Sequence, residues 1–286
     1  MNWLGVWRKH KVIKAEPRGS YLETPEGPAF LSKKETGEHP EIGTVVEALI
    51  YHDYDGYLTA TVHKPLTAVG QFAALRIKAA GDKGAFADWG LPKDLFIPHA
   101  EQLEPVRKGE TYLTFTYVDS QSGRITASTR VDRFARDVVE EADREAFPKT
   151  GEPVELIISR KTDLGYKAVM LLDTPYSGTI YQNEVFQPLK TGDQLTGYIK
   201  LLREDGKIDL SLRKPGFEEV LDSKEQIFTQ LEAAPDGFLP YHDKSEAAEI
   251  RRVFQMSKRT FKAAIGGLLK EGRIDILPNG IRLHQE

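Results

Sequence analysis

The amino-acid sequence predicts a multi-domain, mainly β protein: three small barrels in tandem, then an α/β domain at the C-terminal end. Two observations carry this reading. A hairpin pattern occurs three times, at 43–61, 109–130 and 192–213, and the two glycines of each copy stand 13 or 14 residues apart. An internal repeat of this kind means repeated modules. After residue 214 the strand signals stop and apolar residues recur at helical spacing, which marks a domain of another class. The predicted boundaries are 1–66, 67–130 and 150–214 for the barrels, 131–149 for a connecting helix, and 215–286 for the last domain.

In the first module, short apolar runs at Val12-Ile13, Tyr21-Leu22 and Ala29-Phe30-Leu31 are punctuated by Gly19, Gly27 and Pro28. Such runs are strands rather than helices. The closing hairpin pairs 45–51 with 57–61 across Asp55-Gly56, and Pro65 ends the module because it cannot donate to a ladder. In the second, Leu75-Arg76-Ile77-Lys78-Ala79 turns through Gly81-Asp82-Lys83-Gly84 into Ala85-Phe86-Ala87. With Leu95-Phe96-Ile97 and the hairpin at 109–130 this makes five strands, enough for a partly open barrel. Over 131–147, Phe134, Val138 and Ala142 recur at helical spacing among acidic side chains, so a solvated connecting helix ending before Pro148 is expected. The third module has strands at 154–159, 165–170 and 178–181 before its hairpin. In the last domain, Ile227 and Leu231 mark one helix; Ser245 is the expected N-cap of a second and Ser257 of a third, which Gly272 ends. A hairpin with Asn279-Gly280 at its tip follows. Three helices and a hairpin are the order of a winged helix.

Bulk properties narrow the function. The chain has no cysteine, which excludes disulfides and thiolate metal sites. No stretch approaches the roughly 20 apolar residues of a membrane span, and the N-terminus lacks the apolar run of a signal peptide, so a cytoplasmic protein without membrane contact is expected. The formal net charge of -4 argues against indiscriminate phosphate binding, yet 243–273 holds eight basic and four acidic side chains. The seven histidines show no metal-ligand spacing, and neither a phosphate-binding glycine loop nor a nucleophile elbow is present, so the reading is a non-enzyme needing no cofactor and no metal.

Gly84-Ala85-Phe86 and Gly19-Ser20-Tyr21, together with Gly123-Arg124-Ile125-Thr126-Ala127-Ser128-Thr129-Arg130, resemble the RNA-binding repeat of ribosomal protein S-one. That resemblance implies a five-stranded oligonucleotide-binding barrel, the OB-fold, for each repeat. Three repeats followed by a winged helix carrying 256–266, with 88–95 as the other specific stretch, are similar over the whole chain to the conserved virulence factor B family, also called the YitL family. This similarity implies a bacterial protein that binds single-stranded RNA and modulates gene expression after transcription. It also implies RNA contacts from an aspartate before the hairpin turn and a basic residue after it. Asp119 and Arg124 fit both places, whereas the first module has Asp53 with Tyr57, and the third has Lys207 but, counted from Gly192, Leu202 in the aspartate place. In the third module the aromatic of Gly165-Tyr166-Lys167 is one position out of step and expected to point inward.

The second barrel is therefore the expected RNA site. OB barrels stack bases on exposed aromatics beside a basic groove. Phe86 is the stacking candidate, Arg76, Lys78, Arg124 and Arg130 the basic groove, with Tyr21 and Lys207 as counterparts in the other modules. A packed core aromatic is the alternative reading of Phe86, and Trp89, in a loop rich in glycine and proline, is expected to pack structurally. On the winged helix, Lys258, Arg259 and Lys262 cluster where a recognition helix meets nucleic acid, although basic residues on an outer helix face are ordinarily just solvated. Two other functions compete: a winged-helix regulator of transcription on duplex DNA, and a non-catalytic adaptor on the ribosome or RNA polymerase.

Overall fold

The computed structural model describes residues 3–38, 40–185, 188–214 and 217–284; His39 and the expected boundary at Pro215 lie outside them. The chain forms two compact units, Met1–Phe134 and Ala135–Glu286.

The first unit holds two barrels. Strands β1 (Trp7–Glu16), β2 (Gly19–Leu22), β3 (Ala29–Ser32), β4 (Val45–His52) and β5 (Leu58–Thr61) close in the order β1-β2-β3-β5-β4, with a short helix α1 (Lys33–Thr36) after β3. The second barrel repeats this with β6 (Phe72–Gly81), β7 (Gly84–Asp88), β8 (Leu95–Ile97), β9 (Thr111–Val118) and β10 (Ile125–Ser128). In both, the third and fifth strands run parallel and every other pair is antiparallel, which is the OB topology. The barrels are closed rather than partly open, because the first strand is long enough to pair with two neighbours. A register shift, between Val12 and Lys14 in β1 and between Ile77 and Ala79 in β6, bends it from one partner to the other.

Strand β4 shows how the two barrels share a core. Ala48 and Ile50 are buried in the first barrel, whereas Leu49 and Tyr51 are buried in the core of the second. Burial on both faces is why this strand reads as the unbroken run Ala48-Leu49-Ile50-Tyr51 instead of alternating with polar residues.

The second unit begins inside the segment expected as a connecting helix. Residues 131–149 do not form a connecting helix; they make two single 3-10 turns, Val131–Arg133 and Glu141–Asp143, joined by irregular chain with one isolated bridge from Arg136 to Tyr176. Ala135, Val139 and Phe147 are buried while Val138 is exposed. The buried residues are not those at the expected helical spacing, and between the two turns the backbone bonds to a barrel. Arg136 N–H donates to Pro175 O at 2.9 Å, and Val139 N–H to Gly206 O at 2.9 Å. That barrel, the third, closes from β11 (Pro153–Thr162), β12 (Gly165–Met170), β13 (Tyr176–Tyr181), β14 (Gln194–Leu202) and β15 (Ile208–Ser211). Here Tyr166 packs against the core, as its shifted position implies.

The winged helix follows as α2 (Phe217–Ala233), a short strand β16 (Phe238–Leu239), α3 (Ala247–Phe254), α4 (Lys258–Lys270) and the hairpin β17 (Ile274–Leu277) and β18 (Gly280–Leu283). Ser257 caps α4, accepting from Thr260 N–H. Ser245 does not cap α3, which begins after Glu246; its hydroxyl oxygen accepts from His242 N–H at 2.9 Å and so holds the preceding turn. Pro278-Asn279 forms the wing tip, since Gly280 already pairs with Leu277.

Candidate nucleic-acid interface

On β7, Ala85 and Ala87 are fully buried and the intervening Phe86 is 40% exposed. Two-residue alternation puts its ring on the outer face of the barrel, which sets aside the reading as a core aromatic. Phe96 stands opposite on β8, with ring centroids 5.2 Å apart. Gly84 makes room for that second ring, because a Cβ there would lie 2.7 Å from a Phe96 ring carbon and 2.7 Å from Ile97 O, at a φ of +130°. The glycine of the Gly-x-aromatic pattern thus seats the aromatic of the next strand.

The two rings floor a cleft of about 520 Å³. One wall is the turn after β9, with Asp119, Ser122 and Arg124; the other comes from the first barrel, with Tyr51, His52 and Tyr54. Trp89 braces that wall from inside. It is 3% exposed, meets Tyr51 edge-on at 6.1 Å and donates its indole N–H to Lys93 O at 2.6 Å. Two further bonds cross the junction: Tyr54 donates its phenol O–H to Pro92 O, and Lys93 Nζ donates to Asp53 O, both at 2.5 Å. Burial pushes the Tyr51 phenol up to about 12, reinforced by Glu35 and Asp53, so it stays neutral at ordinary pH.

Asp119 lies in the cleft, yet its carboxylate serves the turn. It accepts from the Ser122 hydroxyl at 2.6 Å and Ser122 N–H at 2.9 Å, and these bonds hold it below the usual carboxylate range. Asp53 does the same in the first barrel, accepting from Asp55 N–H at 3.0 Å and Tyr57 N–H at 2.9 Å. The aspartate before each of these two hairpins is a turn former that positions the residues of the reversal.

The structure brings Phe86, Asp119 and Arg124 into one cleft. Lys78 does not line it but forms a 2.7 Å ion pair with Asp94, which does. Arg76 is exposed on β6, in register with Asp88 and Thr111, and Arg130 sits at the far end of β10 beside Ser128; neither lines the cleft. Tyr21 belongs to an equivalent pair in the first barrel, 5.4 Å from Phe30, with Lys14 Nζ 5.4 Å over its ring. Sequence reasoning missed Phe96 and Phe30, although each is the aromatic centre of a three-residue apolar run, Leu95-Phe96-Ile97 and Ala29-Phe30-Leu31. His52, Tyr54 and Lys93 were also missed; nothing local marks side chains that meet only when two barrels pack.

Among the described residues, the third barrel has no such pair. Lys167 and Thr179 occupy the register positions of Phe86 and Phe96. An irregularity between Ile199 and Leu201 adds a residue to β14, so Arg203, not Leu202, stands where Asp53 and Asp119 stand; its N–H donates to Lys207 O as theirs donate to Tyr57 O and Arg124 O. The 135–149 strap lies over this face. Asp137 pairs with Lys167 at 3.3 Å, and Arg144 donates to the carbonyls of Arg203 and Glu204 at 3.2 and 2.7 Å. Lys207, 3.8 Å from Asp205, projects from the same turn. On the winged helix, Phe261, Ala264, Ile265 and Leu268 are buried, while Arg259 and Lys262 are exposed and Lys258 lies 3.4 Å from Lys244 O.

Barrels with an exposed aromatic pair, joined in one chain to a winged helix, define a class of protein built around nucleic-acid-binding domains. Residues 4–63 match the family described as S1 domain, and residues 225–283 the family described as CvfB-like winged helix domain. The resemblance to the conserved virulence factor B (YitL-like) family is borne out. The chain is 28% identical over 264 residues to the uncharacterized protein YitL of Bacillus subtilis, covering 90% of this chain and 85% of that protein. It is 26% identical over 287 residues to conserved virulence factor B of Staphylococcus saprophyticus, covering 96% and 93%. A solved multidomain protein with nucleic acid binding domains from Streptococcus pneumoniae is 25% identical, covers 98% of each chain and has a TM-score of 0.45. The matched S1 and winged-helix domains point to nucleic-acid binding rather than catalysis. Among the described residues, no group of three or more His, Cys, Asp or Glu side chains is placed to hold a metal, and no helix is long and apolar enough to cross a membrane.

Proposed function

We propose that this chain binds single-stranded RNA on its first two barrels and acts in the cytoplasm on gene expression after transcription. One observation carries the reading: the Phe86 ring is exposed in a cleft that Phe96 and Arg124 also line. A ring held this way offers a face to any unstacked base, and the neighbouring guanidinium attracts the backbone. A duplex keeps its bases stacked and cannot use such a floor. The Tyr21–Phe30 pair with Lys14 supports a second contact of the same chemistry on the first barrel. The third barrel, with Lys167 and Thr179 under its strap, serves as structure.

Phe86→Ala is expected to weaken binding of a short labelled RNA by about 1–3 kcal/mol, roughly 5- to 150-fold, without unfolding the protein. Anisotropy titration of that RNA and of a DNA duplex at two salt concentrations checks this. Preference for the duplex, or equal affinity of Phe86→Ala and the parent, is the result that sinks the proposal. Association with ribosomes or RNA polymerase that survives nuclease treatment is the outcome that favours an adaptor.

A further inference from the structure

We infer that the junction of the first two barrels is a site for one nucleotide unit, its base in the Phe86–Phe96 cleft and its phosphate beside Lys93, Arg124 and His52. This rests on the reading of Phe86 as a base platform and adds what the first barrel contributes.

A second recess of about 390 Å³ adjoins the cleft, lined by His52, Tyr54, Lys93, Ser122 and Arg124 together with the turn residues Asp55 and Gly56. The same five side chains line the aromatic cleft, so the two spaces share a wall. One has an aromatic floor and the other a polar lining. Neither Lys93 nor Arg124 forms an ion pair with a described residue, and the one bond of Lys93 to Asp53 O leaves two of its three protons to donate. His52 Nδ1 is buried without a hydrogen-bond partner.

The electrostatics agree with this geometry. Burial first, and then the Arg124 charge, holds the Lys93 ammonium below its ordinary value. Burial first, and then the Lys93 and Arg124 charges, does the same to His52. Three basic groups therefore crowd one recess. The acidic groups near them are Asp53, Asp55, Asp94, Asp119 and, beside His52, Glu26; Asp53 and Asp119 accept bonds within their own turns, and Asp94 is paired with Lys78. A phosphate would relieve the crowding while its base lay on the rings. Because His52 and Tyr54 belong to the first barrel and Phe86, Lys93 and Arg124 to the second, neither barrel holds this unit alone.

The probe is a labelled ten-nucleotide oligouridylate, titrated against the full chain by anisotropy over a salt series. Lys93→Gln is expected to lower affinity about three- to tenfold and to take about 0.7 off the slope of log affinity against log salt, whereas Lys93→Arg keeps the slope. Phe86→Ala is expected to lower affinity with the slope unchanged. In the unaltered protein, where folding is not at issue, binding is expected to raise the NMR titration midpoint of His52, because a phosphate favours the imidazolium. If Phe86→Ala weakens binding while Lys93→Gln keeps the parent's affinity and slope, or if binding leaves the His52 midpoint in place, the nucleotide site is overturned and the aromatic platform stands. Loss of affinity in neither variant overturns both.

Discussion

Phe86 and His52 line one cleft, and opposite constraints shape them. Phe86 is exposed because strand alternation turns it away from a core already filled by Ala85 and Ala87. His52 is half-buried at the end of a strand whose preceding residues are enclosed by two barrels. Its titration midpoint is expected below the ordinary 6.5. The unfolded chain then binds more protons at this position than the folded one, so stability is complete above about pH 6.5 and falls as the pH drops through the folded midpoint. His52→Gln is expected to flatten that part of the pH dependence, as read from urea midpoints at several pH values; an unaltered slope would show that His52 is not its source. The aromatic at Phe86 was legible in the sequence from Gly84 two residues before it. His52 was not, since its surroundings come from residues about 40 and 70 positions further along, Lys93 and Arg124.

At the scale of elements, the strap over the third barrel is held where Gly206 turns. Gly206 has a φ of +77°, and a Cβ there would come within 2.7 Å of Val139 O and 2.5 Å of a Val138 methyl. Gly206→Ala combines backbone strain with a clash against the strap and is expected to cost about 1–3 kcal/mol. The check is the urea unfolding of the full chain followed through a probe in the 135–286 unit, and a midpoint equal to the parent's would show that the strap yields freely. Sequence patterning predicted each hairpin because turn chemistry and alternation are properties of neighbouring residues. It failed for the strap because the residues spaced by four, Phe134, Val138 and Ala142, are not the ones that anchor it: Ala135, Val139 and Phe147 are buried, and the carbonyls of Pro175 and Gly206 take the backbone N–H groups of Arg136 and Val139.

For the whole molecule, charge and repetition pull in different directions. A net charge of -4 keeps general phosphate attraction weak, so binding depends on local cations beside aromatic rings. Among the described residues, the first two barrels set such cations beside a cross-strand pair of aromatic rings, whereas on the third Arg203 lies over the single ring of Tyr181 and is paired with Asp209. Lys207→Gln on the third barrel, and the paired change Arg259→Gln with Lys262→Gln on the winged helix, are therefore expected to leave single-strand affinity unchanged in the same titration. A loss comparable to that of Phe86→Ala would extend the binding path into the 135–286 unit. Were the winged-helix pair instead to abolish duplex binding, that domain would read nucleic acid separately.

By itself the sequence determined three barrels, a winged helix and the strand that carries the exposed aromatic, because periodicity, glycine and turn residues act over a few positions of chain. Tertiary structure alone decided which faces stayed open. It laid a strap over the third barrel, moved the aspartate position to Arg203 through one extra residue in β14, and placed Tyr51, His52 and Tyr54 of one barrel opposite Phe86 of the next. The physical reason is that an apolar stripe specifies that a face must be covered, whereas the identity of its cover depends on partners distant in sequence.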